Sequence, residues 1–269
     1  MYRNIVLGAI ALLGAGVAQA GPYAPAAGQP GSTAVPMSSS AIAGWATKFS
    51  AYTPGTNASA PFIDPNEALG PATGVPTEVV SLGDGGSIVL SFATPIANGP
   101  GADFAVFENS FGDTFLEVAF VDVSSDGTNF FRFPNFSLTA NPVPAFGTLD
   151  PTNLDGLAGK YRGGFGTPFD LEMLSAVPAL NVNRITHIRI VDVLGDGSVK
   201  DSLGRPIYDP TPTQMSGGFD LDAVGAMYLT AAPVPEPSTL WMLAAGAALL
   251  PLGARHARNR ARRGNGTSA

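Results

Sequence analysis

Gly83-Asp84-Gly85-Gly86, followed by Ser87-Ile88-Val89-Leu90-Ser91-Phe92, decides the fold. Four turn-forming residues stop the chain, and the alternation after them puts Ile88, Leu90 and Phe92 on one face of a strand. The same grammar recurs downstream. Residues 103–107 and 117–123 read as strands, the second so continuously apolar that both its faces are expected to be covered. Ser125-Asp126-Gly127-Thr128 then closes a hairpin onto 129–133. Two later strands, 185–193 and 219–229, are separated by the Gly/Asp/Pro-rich 194–218. Helical turns are expected only in 41–52 and near 171–175. Residues 134–184 read as a long irregular insertion, and long loops of a compact domain are often its binding side. The expected fold of 41–232 is all-β: a single antiparallel β-sandwich of jelly-roll type with long loops.

Composition points the same way. The 269 residues hold 33 Gly and 24 Pro, which disfavour helices, while 45% hydrophobic content and 16 Phe supply a core and exclude wholesale disorder. There is no Cys, hence no disulfide framework, thiolate metal site or cysteine nucleophile. Between residues 21 and 232, eight Lys/Arg face twenty Asp/Glu, a balance of −12 against −7 for the whole chain. Such a surface repels polyanions and argues against nucleic acid as a partner.

Both ends read as delivery signals. Residues 1–20 combine Arg3, an apolar run over 5–17 and the small-x-small site Ala18-Gln19-Ala20, the pattern of a secretory signal helix. Low-complexity residues 21–40 are expected to be a flexible arm. At the other end, Val234-Pro235-Glu236-Pro237-Ser238-Thr239-Leu240 leads into the apolar stretch 240–253 and then Arg255, Arg258, Arg260, Arg262 and Arg263. Fourteen helical residues would reach about 21 Å, short of a ~30 Å hydrocarbon core, which suits a marginal span or sorting helix with transient membrane association. The arginines would stay on the cytoplasmic side.

This order of Pro-Glu-Pro, apolar segment and Arg-rich end resembles the PEP-CTERM sorting signal of Gram-negative bacteria. The resemblance spans 233–263, with 264–269 as a disordered tail, and marks Pro235, Glu236 and Pro237 as the sorting motif. It implies recognition by an exosortase, cleavage near the Pro-Glu-Pro motif, and delivery to the envelope, outer surface or extracellular matrix; the leader pattern at 1–20 makes the Sec export machinery the expected partner at the other end. The phrase Val121-Asp-Val-Ser-Ser-Asp-Gly-Thr-Asn-Phe-Phe131 resembles a hairpin of galactose-binding-like (discoidin-type) sandwiches. Gly44-Trp-Ala46, Tyr52-Thr-Pro-Gly55, Ala68-Leu-Gly70, Ser81-Leu-Gly-Asp-Gly-Gly-Ser-Ile-Val-Leu90, Asp103-Phe-Ala-Val-Phe-Glu-Asn-Ser110 and Phe219-Asp-Leu-Asp-Ala-Val-Gly225 resemble a bacterial group labelled "cell surface protein". That resemblance implies fold and location rather than a reaction.

Little in the domain suggests catalysis. His187 is its one histidine, set in a strand beside Arg189, and no Gly-x-Ser-x-Gly elbow precedes a helix. Carboxylates are abundant, and Asp192, Asp196 and Asp201 share a Gly-containing loop, with Asp209 nearby and Asp220 and Asp222 opening the last strand. Ca²⁺ takes six to eight oxygens, so this loop, with Glu108, is a candidate calcium site. Leu194 and Leu203 stand where an EF-type loop needs oxygen ligands, and solvated turn aspartates are the competing reading. A second candidate is the glycine-rich 156–168. There Lys160, Tyr161, Arg162 and Phe165, with Tyr208, are candidate ligand-binding residues; a surface cap is the alternative. The expected function is a noncatalytic envelope or matrix protein that binds exopolysaccharide, another glycan or a further surface ligand through its loops. A purely structural matrix role and a carbohydrate-active enzyme are the alternatives.

Overall fold

The computed structural model describes residues 20–231. The signal helix of 1–20 apart from Ala20, the sorting helix and Arg-rich end of 233–263 with Pro235, Glu236 and Pro237, and the tail 264–269 lie outside the described residues. Among those described, no helix is long and apolar enough to cross a membrane.

In chain order the strands are β1 (Val35–Pro36), β2 (Gly44–Trp45), β3 (Lys48–Thr53), β4 (Val80–Ser81), β5 (Ser87–Ile96), β6 (Phe104–Glu108), β7 (Ala119–Ser124), β8 (Phe131–Arg132), β9 (Phe136–Ser137), β10 (Leu154–Asp155), β11 (Phe165–Phe169), β12 (Ile185–Asp192), β13 (Asp196–Lys200), β14 (Pro206–Tyr208) and β15 (Asp220–Ala226). One sheet runs β1-β11-β6-β15-β2, with β4 also on β15; the other runs β3-β5-β12-β7-β8. Two ribbons, β9–β10 and β13–β14, stand apart. The named strand pairs are antiparallel.

Register explains the core. Leu90 lies opposite Ile188, which lies opposite Val123; Ile88, Ile190 and Val121 form the parallel row. These rows share one apolar cluster with Phe104, Val106, Leu221 and Val224 of the other sheet, so the two sheets enclose a sandwich-like core. Each such side chain contributes about 1.5–3 kcal/mol by burial. On the outer side of β7, Phe120 faces away from this core and joins Leu116, Val118, Leu149, Leu154, Leu157 and Ile207 in a second apolar cluster. That cluster seats the 134–160 insertion on the sheet. Asp122 also points outward, between its cross-strand partners Arg132 and Arg189.

Three expectations need correction. Residues 134–184 are not irregular throughout: β11 joins the first sheet by pairing with β6, and β9 pairs with β10. Residues 41–52 are not helical: they form β2 and most of β3, because Trp45, Phe49 and Tyr52 favour a pleated surface and find strand partners there. Tyr52 fixes the placement by donating its hydroxyl to Ser81 O at 2.7 Å. Along β3 the register with β5 slips between Phe49 and Ala51. Residues 21–40 are not a free arm either. Ala27 is buried, Val35 pairs with Gly166, and the Thr33 hydroxyl meets that of Tyr161 at 2.8 Å. The turn expected near 171–175 is the 3₁₀ helix Leu171–Leu174, capped by the Asp170 carboxylate.

Candidate functional site

The glycine-rich loop expected to bind a ligand binds the chain's own N-terminal segment. Gly159 holds φ +81°, and a Cβ there would stand 1.9 Å from Glu117 O, so only glycine lets the loop dip against the strand below. Lys160 follows, 3% exposed, its Nζ donating to Leu154 O at 2.7 Å between the rings of Tyr23 and Tyr161. Burial pushes its pKa down to about 8. Tyr161 is buried under Thr33. Arg162 lies over the Phe165 ring and donates to Ala27 O at 2.9 Å and to Asp113 at 2.5 Å. Tyr208 pairs with Asp196 in the β13–β14 ribbon, and its ring covers Gly197. The five residues therefore form no shared opening: four seat the 21–40 segment, and the fifth braces a ribbon.

The seven candidate metal ligands do not converge. Among the described residues, no three His, Cys, Asp or Glu side chains are placed to share one ion. Asp196 is exposed and caps Ser198 N. Asp201 takes the backbone amides of Ser137, Leu203 and Arg205 as well as the Arg205 guanidinium. Asp222 holds the amides of Thr73 and Gly74. Asp192 accepts from Gly85 N and Phe219 N, Asp209 from Val118 N, and Glu108 from Ser110 N. Asp220 accepts from Asn109 at 3.3 Å. These acids tie loops together, and the set does not fit a calcium loop.

Several of them are nonetheless under electrostatic stress. Burial, with the charges of Glu117 and Asp220 added, drives Glu108 well above the usual carboxylate range. Burial likewise raises Glu117 to about 9, Asp192 to about 8 and Asp220 to about 7, and lifts Asp209 well above its ordinary value. Glu117, which the sequence reading passed over, accepts from the Thr213 hydroxyl at 2.6 Å.

The open feature lies in the insertion. A groove of about 560 Å³ is lined by residues 138–144, 147–150 and 153, with Thr139, Asn141, Thr148, Asp150 and Asn153 as polar groups. Thr139 Oγ1 is buried without a partner among the described residues. In the same insertion, within the run 144–147, Phe146 is 74% exposed and Phe111 on a separate loop is 73% exposed. Half-buried Phe115 stacks between them, 6.2 Å from Phe111 and 5.8 Å from Phe146. Leu149 N donates to Thr114 O at 2.7 Å and so ties the two loops. Phe146 sits in the turn closed by Gly147 N on Pro144 O, with φ +59°. Glycine or asparagine ordinarily takes that conformation, and a bulky residue there is strained by roughly 1 kcal/mol. None of the three phenylalanines was singled out from sequence; an aromatic residue beside glycine, as in Phe111-Gly112 and Phe146-Gly147, was the one signal present.

Among the described residues His187 meets no acid–base partner: its Nδ1 lies 2.9 Å from Thr186 Oγ1, and its ring packs under Gly127 of the hairpin turn.

Residues 233–259 match the family model described as the PEP-CTERM protein-sorting motif. A search of curated proteins gives no match to the chain. The motif indicates export, sorting to the cell surface of a Gram-negative bacterium, and processing by exosortase.

Proposed function

We propose that this exported, PEP-CTERM-bearing chain is a noncatalytic envelope or extracellular-matrix protein whose sandwich binds a surface glycan at the groove and phenylalanine row of the 134–160 insertion. The stacked row Phe111–Phe115–Phe146, with its two outer rings nearly bare, carries this reading. A pyranose presents an apolar C–H face and a rim of hydroxyls. The rings suit the face, while Asn141 and Thr148 suit the rim. Phe146 keeps an unfavourable backbone angle while contributing little to the core, and residues held in such conformations cluster at binding sites. A jelly-roll sandwich belongs to the same reading, supported by a chain that switches sheets at most of its connections. Sec-dependent export and transient membrane association through the sorting segment would deliver it.

A carbohydrate-active enzyme is the weaker alternative. Glycosidases use a pair of carboxyl groups, and Asp150 is the single carboxylate lining the groove. The discriminating experiment is affinity electrophoresis of the exported protein in gels carrying Gram-negative exopolysaccharides. Retention is expected for the native protein and lost in F111A/F146A with the melting midpoint kept. Equal mobility of both proteins across the whole panel would leave the purely structural role.

A further inference from the structure

Gly21 is the residue after the small-x-small site Ala18-Gln19-Ala20, and the body of the protein holds it tightly. Its nitrogen donates to Thr152 Oγ1 at 2.6 Å. The Thr152 hydroxyl passes its own proton toward Asp150 Oδ1 at 2.7 Å, and Asp150 also takes Thr152 N at 2.9 Å. One residue pair further on, Tyr23 N donates to Thr152 O at 3.1 Å. A Cβ on Gly21 would stand 2.2 Å from Thr152 O and 2.4 Å from Asn153 Oδ1. Backbone oxygen and side-chain amide oxygen thus crowd the one residue type that fits. The hydroxyl that takes Gly21 N thus has a carboxylate directly behind it.

We propose that this socket receives the α-ammonium group created at Gly21 when the leader is removed after Ala20, so that maturation itself fastens the 21–40 segment to the sandwich. The inference rests on the leader reading of residues 1–20. Hydrolysis of the Ala20–Gly21 peptide bond by a leader peptidase consumes one water, leaves a carboxylate on Ala20 and an amine on Gly21, and the amine takes up a proton at neutral pH. The new ammonium keeps the donation to Thr152 Oγ1 and faces Asp150 through it, with Thr152 O and Asn153 Oδ1 beside its carbon. Asp150 and Asn153 also line the groove, so the fastened terminus braces the wall of the proposed glycan site. The charged and titratable groups around the socket are Asp150, Asp155 and Lys160, with Tyr23 and Arg205 behind them. Lys160 shares the field of Asp150, and losing Asp150 would weaken both cations.

The test uses the full exported protein. Mass spectrometry of its N-terminus is expected to find Gly21 first. Isotopic dimethylation of the α-amine, followed by NMR titration, is expected to show a group about tenfold more basic than the ordinary α-amine, whose pKa is about 7.7–8.0. T152V should return the amine to that ordinary range, and T152S, which keeps the hydroxyl, should restore the raised value. A different first residue would overturn the inference at the leader step. A Gly21 start whose amine titrates in the ordinary range, or whose titration T152V leaves unmoved, would overturn it at the socket.

Discussion

Replacing Glu117 with Gln should stabilise the protein increasingly as pH rises above about 4.5 and do nothing below about pH 4. Glu117 is buried, accepts from Thr213, and is raised to about 9 mainly by burial. In the unfolded chain the same carboxyl titrates near its ordinary value of 4.5. A folded-state pKa above the unfolded one means that the native state binds the extra proton. The associated stability is therefore whole below about pH 4 and drains away as pH rises toward 9. At pH 7 Glu117 alone costs about 3 kcal/mol relative to pH 4, and Asp192, raised to about 8, costs about 4 kcal/mol by the same relation. Together these approach the whole stability of an ordinary domain, about 5–15 kcal/mol. Scanning calorimetry from pH 5 to 8 should show the native midpoint falling as pH rises. E117Q, neutral throughout, should melt roughly 6–12 °C higher at pH 7 and level with the native protein near pH 4.5. A native midpoint that is flat or rises between pH 5 and 8, or an E117Q protein less stable at pH 8, would refute the reasoning.

Phe146→Gly should raise stability by roughly 1 kcal/mol in urea titration, because glycine accepts φ +59° without strain, while weakening glycan retention. Asp122→Ala should cost about 3 kcal/mol in the same assay, since the buried carboxylate takes charge-assisted bonds from Arg132 and Arg189. Neither millimolar Ca²⁺ nor a chelator should move the melting midpoint, because the seven candidate acids are committed to amides and arginines or lie apart; a ligand selective for the native state would raise it.

The strands were legible because period-two alternation between glycine-rich turns has one dominant physical solution. Thus Ile88 and Leu90 of β5 are buried as the opening stretch predicts, and the hairpin at 125–128 brings Arg132 opposite Asp122. The 21–40 segment was illegible for the converse reason. It has no periodicity, and its order comes from partners about 130 residues away, as in Gly21 with Thr152 and Thr33 with Tyr161. In the 156–168 loop the donors and glycines meet the chain's own N-terminal segment, with Arg162 donating to Ala27 O, a contact between residues too far apart in sequence for spacing to reveal. Spacing alone could not show that Asp192, Asp209 and Asp222 spend their oxygens on distant backbone amides while Asp196 and Glu108 cap residues two positions on. The phenylalanine row was hidden because stacking joins residues 111, 115 and 146 only after two loops are tied by Leu149 and Thr114.

The slip in register along β3 bears on how copies coexist. A six-residue outermost strand, exposed over most of its length and beginning at Lys48, would otherwise offer a straight row of amides to a neighbouring molecule. The irregularity between Phe49 and Ala51 breaks that row in the middle. Copies of the domain brought side by side should therefore meet at this edge without zipping strand to strand into fibres.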